Sequence, residues 1–215
     1  MQSWTVRSFT DEARLGGNRV LVLLFDEPVP DAQERQRIAT ATGEPATVFV
    51  HADRRRVNVH NRASERRLIG HALLGACEAL ASIGPSPDLF SLPVGDVPLW
   101  TGEDGMRWLH APSAWSPNDR HRQVATADEV ADLGGPPADE PVQVWAWIDE
   151  DAGTVRARQF APSQGKPEDE ACGSGCMVLA DKLGRDLTVR HGKNSLIRAR
   201  PNNGGVDLGG YCILD

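Results

Sequence analysis

A glycine-rich segment that carries a thiol and a hydroxyl, Cys172-Gly173-Ser174-Gly175, is the part of the sequence best suited to bind a small anion. The apolar stretch that follows predicts a helix over residues 173–183, ended by Gly184. The first N–H groups of a helix have no partner inside the helix and lie at the positive end of its dipole. Because glycine lets the backbone approach a ligand closely, such a start suits a carboxylate or a phosphate. Gly-Ser-Gly also occurs in ordinary turns and caps, so the segment alone does not define a site.

Cys172 has two interpretations, and its position in the sequence favours neither. A thiol at a helix N-terminus can lose its proton near neutral pH and act as a base or a nucleophile. A cysteine without a disulfide is more commonly a small buried apolar residue. Cys176 lies one helical turn further on and is expected in the core. The two cysteines could also form half of a zinc site, but no His or Cys cluster supplies the other half, so we expect no metal.

Titratable residues flank this helix start and a second one. The acidic run Glu168-Asp169-Glu170 either adds negative charge that favours the helix dipole or supplies a carboxylate general base. His71 follows Gly70 at the start of another predicted helix, over residues 70–83, and is either a cap or a proton carrier beside a bound carboxylate. Two such starts facing each other would hold a carboxylate substrate and stabilise the charge that develops when its α-proton leaves.

The elements that must position these residues occur twice along the chain. Each half contains a predicted hairpin, a loop and a helix that begins at a glycine, Gly70 or Gly173, which indicates an internal structural duplication. We therefore predict an N-terminal half over residues 1–95 and a C-terminal half over residues 96–215, with the active-site cleft between them. The proline- and glycine-rich stretch 84–141 contains tryptophans and is expected to be ordered. The predicted strands lie at residues 4–9, 20–25, 47–51, 57–61, 142–148, 154–161, 187–190, 197–200 and 211–214, and a further helix follows Asp31 and ends at Gly43.

Composition and charge restrict the class of protein. The 215 residues are 40% hydrophobic and 25% charged, which is typical of a soluble globular protein. The net charge of −7 gives no general support for nucleic-acid binding, and the basic run at residues 54–56 fits a solvated hairpin turn. No apolar stretch approaches the ~20 residues that span a membrane, and residues 1–10 lack the regions of a signal peptide. We expect no nucleic-acid or membrane partner, a cytoplasmic location and four reduced cysteines.

Taken in order, several segments resemble those of the phenazine-biosynthesis PhzF-like family, which belongs to the diaminopimelate-epimerase fold. The resemblance extends over nearly the whole chain. The most similar segment is Arg156-Ala157-Arg158-Gln159-Phe160-Ala161-Pro162, followed by Glu168-Asp169 and Gly173-Ser174. The other similar segments are Phe9-Thr10, Gly17-Asn18-Arg19-Val20, Ile38-Ala39, Ala46-Thr47-Val48-Phe49-Val50, Glu65, Gly70-His71-Ala72 and Gly209-Gly210.

This resemblance implies an α/β (α+β) fold of two pseudo-symmetric halves, each a curved mixed sheet around a central helix, with the active site at the two helix N-termini. By position, Asp169 matches an acidic catalytic residue, and His71 matches a residue that handles protons. The resemblance also implies a small carboxylate substrate, no cofactor and a homodimer, which many family members form. The candidate catalytic residues are Cys172, Asp169 and His71, and the candidate substrate-binding residues are Gly173, Ser174, Gly175, Gly70 and Asn18.

Two positions depart from the family pattern. Ala46 stands where the family has its usual catalytic Glu. Glu44, two positions earlier, is a possible replacement, although the intervening Pro45 disturbs the strand geometry. Ile69 corresponds to the first cysteine of the diaminopimelate-epimerase branch, and Cys172 corresponds to the second. Neither complete pair of catalytic residues is present, which concentrates the expected proton transfer at the second helix start.

The leading functional interpretation is a cofactor-independent isomerase that moves a proton on a small carboxylate or amino-acid-derived substrate, in the biosynthesis of a specialised metabolite. Cys172 or Asp169 removes the proton, the helix starts hold the anion, and His71 or the same base returns a proton. A single base favours a double-bond shift on one face over epimerisation. The alternatives are a catalytically silent carboxylate-binding protein, which Ala46 favours, an epimerase, and a C–C bond hydrolase that uses the same cleft.

Overall fold

The computed structural model describes residues 1–117 and 120–215, and most of its regular structure is strand. The described α-helices, α1 to α4, are Ala32–Thr42, Gly70–Ala81, Ala127–Ala131 and Gly173–Leu183. The described strands, β1 to β15, are Gln2–Thr10, Gly16–Leu24, Ala46–Val50, Val57–His60, Glu65–Arg66, Leu89–Leu92, Gly95–Thr101, Arg107–Ala111, Arg120–Gln123, Val142–Asp149, Thr154–Ala161, Lys166–Asp169, Leu187–His191, Ser195–Asn202 and Gly205–Leu214. Short 3₁₀ helices lie at Ser113–Trp115 and Pro162–Gln164. Every predicted strand overlaps an observed one.

The described strands form one mixed sheet whose order is β5-β4-β3-β2-β1-β15-β14-β13-β11-β10-β9. β12 pairs with β11, and the β6-β7-β8 meander joins the sheet where β8 pairs with β15. The pairs β2–β3, β11–β13 and β9–β10 are parallel, whereas the others are antiparallel. A mixed sheet with few helices confirms the predicted α/β (α+β) class. The division at residue 95 stays a prediction.

Two buried helices lie against this sheet, and one strand contacts both of them. Helix α2 packs against β1, β2 and β15, and helix α4 packs against β14 and β15. Strand β15 also pairs with β1, where Val6 is opposite Leu214. The C-terminal strand therefore links the N-terminal strands to the second helix and fixes the position of one helix relative to the other.

The ends of the helices follow local capping signals. Asp31 is the N-cap of α1, and its carboxylate accepts a hydrogen bond from a backbone N–H of the first turn. Gly43 and Gly184 end α1 and α4 in the left-handed conformation, with φ of +70° and +62°. Helix α2 ends at Ala81, two residues before the predicted end, because Ser82 terminates it and its hydroxyl bonds back to a helix carbonyl.

The stretch 84–141 is ordered in its described part, as its tryptophans predict. It contains β6 to β9 and α3, none of which the sequence pattern predicts individually. Trp108 is 3% exposed and stacks on Trp100 with 6.1 Å between ring centroids. Residues 118–119 of this stretch lie outside the described part of the chain.

The surface features predicted from charge are in the expected places. The basic run at residues 54–56 forms the turn between β3 and β4, and Arg54 has a φ of +57° there. Arg55 and Arg56 are exposed, which confirms a solvated turn. In residues 1–117 and 120–215, no helix has both the length and the apolar character needed to cross a membrane.

Candidate functional site

The N-termini of α2 and α4 meet over two shared apolar side chains. A Cβ placed on Gly70 would lie 2.5 Å from Leu208 Cδ2, and one placed on Gly173 would lie 3.0 Å from the same atom. The Gly173 position is also 2.9 Å from Phe9 Cε2. Phe9 is fully buried and has a φ of +68°, which aromatic residues rarely adopt. The glycine at each helix start thus allows the two starts to pack over the same core residues.

A cleft opens between these helix starts. Its volume is about 90 Å³, and it adjoins a second space of about 340 Å³. The two spaces adjoin each other, since four residues border both of them: Pro45, Asn61, Lys166 and Asp169. The predicted site residues that line the cleft itself are Gly70, His71, Asp169, Cys172, Gly173 and Ser174.

Two hydrogen bonds and an ion pair, with partners from both halves of the chain, hold the carboxylate of Asp169. Its Oδ1 accepts hydrogen bonds from Asn18 Nδ2 at 2.6 Å and from the Ala171 N–H at 3.2 Å, and its Oδ2 lies 3.6 Å from Lys166 Nζ. Burial alone would raise the pKa of Asp169, but the charge of Lys166 and the Asn18 hydrogen bond outweigh it and hold the pKa below its ordinary value. Asp169 is therefore ionised at neutral pH and can accept a proton.

Asn18 lies behind this carboxylate. Its side-chain amide also donates to the Ala171 carbonyl oxygen at 3.0 Å, and the residue is 8% exposed. It borders the larger neighbouring space and not the cleft between the helix starts. The contacts of its amide suit the orientation of Asp169 better than direct substrate contact.

His71 contributes a buried imidazole to the cleft. The residue is 6% exposed, and its Nε2 is buried with no hydrogen-bond partner among the residues that the structure describes. Burial lowers the pKa of His71 to about 4, although the negative charge of Asp169 acts in the opposite direction. The neutral ring carries one proton at neutral pH, so it can donate or accept one beside a bound ligand.

Cys172 is the N-cap of α4 and also borders the cleft. Its Sγ accepts a hydrogen bond from the Gly175 N–H at 3.4 Å and lies 3.3 Å from Ser174 Oγ. Gly175 itself is buried against Gln143 and does not border the cleft. Within the described ranges, no protein acceptor contacts the N–H groups of Gly173 and Ser174, so these two groups can bind a carboxylate.

The other acidic residues considered from the sequence are engaged elsewhere. Glu44 pairs with Arg19 at 3.0 Å and does not border the cleft. Glu168 pairs with Arg158 at 2.8 Å. The Glu170 carboxylate accepts hydrogen bonds from the N–H groups of Lys193 and Asn194 and from the Ser195 hydroxyl. Asp169 is thus the member of the acidic run that borders the cleft.

Cys176 is fully buried, and burial raises its pKa well above the ordinary value, which confirms its expected place in the core. In the described part of the chain, no group of three or more His, Cys, Asp or Glu side chains is arranged to hold a metal ion.

Three charged or titratable residues near the site were not singled out from the sequence. Lys166 and Arg66 both border the cleft. Each stands within four residues of a predicted site residue, so proximity in sequence was the available signal. His191 is 1% exposed, and its Nδ1 lies 2.9 Å from the Glu170 carbonyl oxygen. Burial lowers the pKa of His191, whereas the negative charge of Asp169 raises it. Only the fold brings His191 there.

Comparison with known proteins agrees with this architecture. A family model described as phenazine biosynthesis-like protein, PhzC-PhzF, matches residues 6–134. A phenazine biosynthesis PhzF family protein from Enterococcus faecalis has a TM-score of 0.76 and 17% identity, with 99% of this chain and 95% of that chain covered. A predicted epimerase from Pseudomonas aeruginosa has a TM-score of 0.71 and 17% identity, with 99% and 96% covered. These similarities confirm the predicted diaminopimelate-epimerase-like fold.

Proposed function

The chain belongs to the phenazine biosynthesis-like protein family, and from this premise we propose that it is a cofactor-independent isomerase of a small carboxylate or amino-acid-derived substrate. Family membership and the similarity to a predicted epimerase support an isomerase- or epimerase-like role. One observation carries the finer proposal: an ionised Asp169 and a neutral His71 border the same cleft, between two helix N-termini.

In the proposed reaction the substrate carboxylate accepts hydrogen bonds from the N–H groups of Gly173 and Ser174. Asp169 removes a proton from carbon, and the electron pair left behind enters a conjugated system that ends at an electronegative atom. The two helix N-termini stabilise this negative charge. The protonated Asp169 then delivers the proton to a second carbon, either directly or through His71, whose ring accepts this proton on one nitrogen while it releases the proton of the other. A double bond has then moved, and no oxidant or reductant is needed.

The electrostatics of the base limit the kind of substrate. A carboxylate whose pKa is held low is a weak base, so the C–H bond that it attacks must be acidified by an adjacent double bond or imine. Asn18 and Lys166 keep the carboxylate oriented towards the cleft. Both features favour a proton shift between carbons of an activated substrate over epimerisation of a simple amino acid.

A second candidate function is a catalytically silent protein that binds a carboxylate. The observation that favours it lies in the N-terminal half. Ala46, at the position of the family's usual catalytic Glu, is fully buried, and the helix start at Ile69 carries no side-chain cap. Cys172 is the alternative base within the enzymatic interpretation, since its thiol also borders the cleft.

Deuterium exchange separates these functions. The protein is incubated in D₂O with β,γ-unsaturated carboxylates and with amino acids, and ¹H NMR follows deuterium incorporation at carbon. The isomerase proposal expects incorporation at the α- or γ-carbon of an unsaturated acid by the wild type and a large loss in Asp169→Asn, which lacks the proposed base. Tight binding of these acids without exchange would instead support the silent binding protein.

The biological context belongs to the same proposal. We assign the reaction to the biosynthesis of a specialised metabolite because the family model is described by phenazine biosynthesis. A cytoplasmic location and a homodimer stay predictions. Light scattering of the purified protein tests the dimer, with a mass near twice the 23.3 kDa of the chain as the expected result.

A further inference from the structure

Two cationic side chains border the cleft. The proposed proton transfer assigns no role to the first, Arg66, and assigns the second, Lys166, only its contact with Asp169. Arg66 lies on β5 in the N-terminal half, and Lys166 begins β12 in the C-terminal half. Arg66 is partly buried, and no carboxylate pairs with it in the described part of the chain. The adjacent Glu65 pairs with Arg35 instead. The ion pair of Lys166 is with Asp169, at 3.6 Å.

Apart from Asp169, the members of the acidic run Glu168-Asp169-Glu170 do not pair with these cations in the described part of the chain. Glu168 is neutralised by Arg158, and the carboxylate of Glu170 is occupied by backbone N–H groups and a hydroxyl. The cleft between the helix starts therefore has two cations and one ionised carboxylate along its walls, although the whole chain has a net charge of −7. Low-dielectric walls concentrate such a local field and favour an anionic ligand.

We propose that the substrate carries a second acidic group, a carboxylate or a phosphate, which binds between Arg66 and Lys166. This inference rests on the proposed function, because it places the first carboxylate at the N–H groups of Gly173 and Ser174 in the same cleft. The guanidinium suits bidentate contact with a carboxylate or phosphate, and the ammonium supplies a point charge from the other half of the chain.

The position of Lys166 gives this second group a consequence for the reaction. Burial raises the pKa of Asp169, and the charge of Lys166 is the largest of the effects that lower it. An anion that shares the ammonium group weakens that effect, so Asp169 becomes a stronger base when a substrate with two acidic groups is bound. A substrate with one acidic group leaves the base weak.

Calorimetry with three acids of similar length tests the second site. The probes are glutarate with two carboxylates, 3-phosphonopropionate with one carboxylate and one phosphonate, and valerate with one carboxylate. The wild type is expected to bind a diacid about tenfold more tightly than valerate, which corresponds to about 1.4 kcal/mol. Arg66→Gln and Lys166→Gln should reduce this preference to about twofold or less. Whichever diacid binds more tightly identifies the second group.

Arg67→Gln is the matched control, because Arg67 is the adjacent exposed arginine and does not border the cleft. It should retain the wild-type preference, and valerate affinity in each variant shows that the variant is folded. Equal affinities for mono- and diacids in the wild type, or a preference that survives both cleft substitutions, would overturn the second site alone. If none of the acids binds, the carboxylate pocket of the proposed function is overturned with it.

Discussion

The two helix starts at the cleft share their packing but differ in their chemistry. Both begin at a glycine that approaches Leu208. Helix α2 follows Ile69, which provides no side-chain cap, and the titratable group in its first turn is the imidazole of His71. Helix α4 follows Cys172, whose sulfur caps it.

The two helix starts have a common backbone geometry but carry different titratable groups. Glycine is required at both starts by close packing in the core, so the backbone geometry is common to the two halves. The ionised carboxylate stands at the α4 start, and a neutral imidazole stands at the α2 start. We therefore assign proton removal to the C-terminal half and proton delivery to either half.

The largest expected effect tests this asymmetry directly. Asp169→Asn keeps the size of the side chain but removes the base, so the rate of deuterium exchange should fall by about 10²–10⁴-fold. Glu44→Gln is the matched control in the N-terminal half and should stay within about twofold of the wild type, because Glu44 pairs with Arg19 away from the cleft. If Glu44→Gln lost exchange and Asp169→Asn kept it, the assignment of the halves would be reversed.

The imidazole of the α2 start should make stability depend on pH. Burial lowers the pKa of His71 to about 4 in the folded protein, whereas histidine in an unfolded chain has its ordinary pKa of about 6.5, so the unfolded chain binds more protons between these two pH values. Its contribution is complete above pH 6.5 and is lost as pH falls towards 4, by up to ~3 kcal/mol. Urea unfolding of the wild type and of His71→Gln at about pH 7 and pH 4.5 measures the contribution of His71 to the unfolding free energy. A pH dependence that is the same in both proteins would contradict the buried neutral imidazole.

The shared packing is tested by adding a methyl group to each helix start. Gly70→Ala and Gly173→Ala should each destabilise the fold by about 1–3 kcal/mol, because the new Cβ would overlap Leu208 or Phe9. Gly134→Ala is the control, since a Cβ there meets nothing within 4 Å. Thermal unfolding compares the three variants. A cost at only one of the two helix starts would show that their packing is not equivalent.

The smallest expected effect concerns Cys172. Serine is a favoured N-cap, so Cys172→Ser should keep the hydrogen bond to the Gly175 N–H and change the unfolding free energy by less than about 0.5 kcal/mol. With Asp169 as the base, the exchange rate should stay within about threefold of the wild type. A loss of orders of magnitude with unchanged stability would instead identify the thiol as the base.

Local signals in the sequence were sufficient for several elements. Asp31, Gly43 and Gly184 mark helix ends because capping and the left-handed conformation involve only neighbouring residues. The helix that begins at Gly173 was predicted in full for the same reason. The strands between residues 84 and 117 were not predicted, because β8 is defined by its pairing with β15, about 100 residues further along the chain.

The sequence by itself determined which residues carry chemistry at the α4 start, since Asp169, Cys172, Gly173 and Ser174 are adjacent along the chain. Tertiary structure decided what surrounds them. Asn18 contacts Asp169 across 151 positions. Burial, which depends on the whole fold, holds His71 neutral and leaves its Nε2 without a partner among the described residues. Ion pairing also requires distant segments to meet, and it holds Glu44 against Arg19. The fold, in turn, places Arg66 beside the cleft.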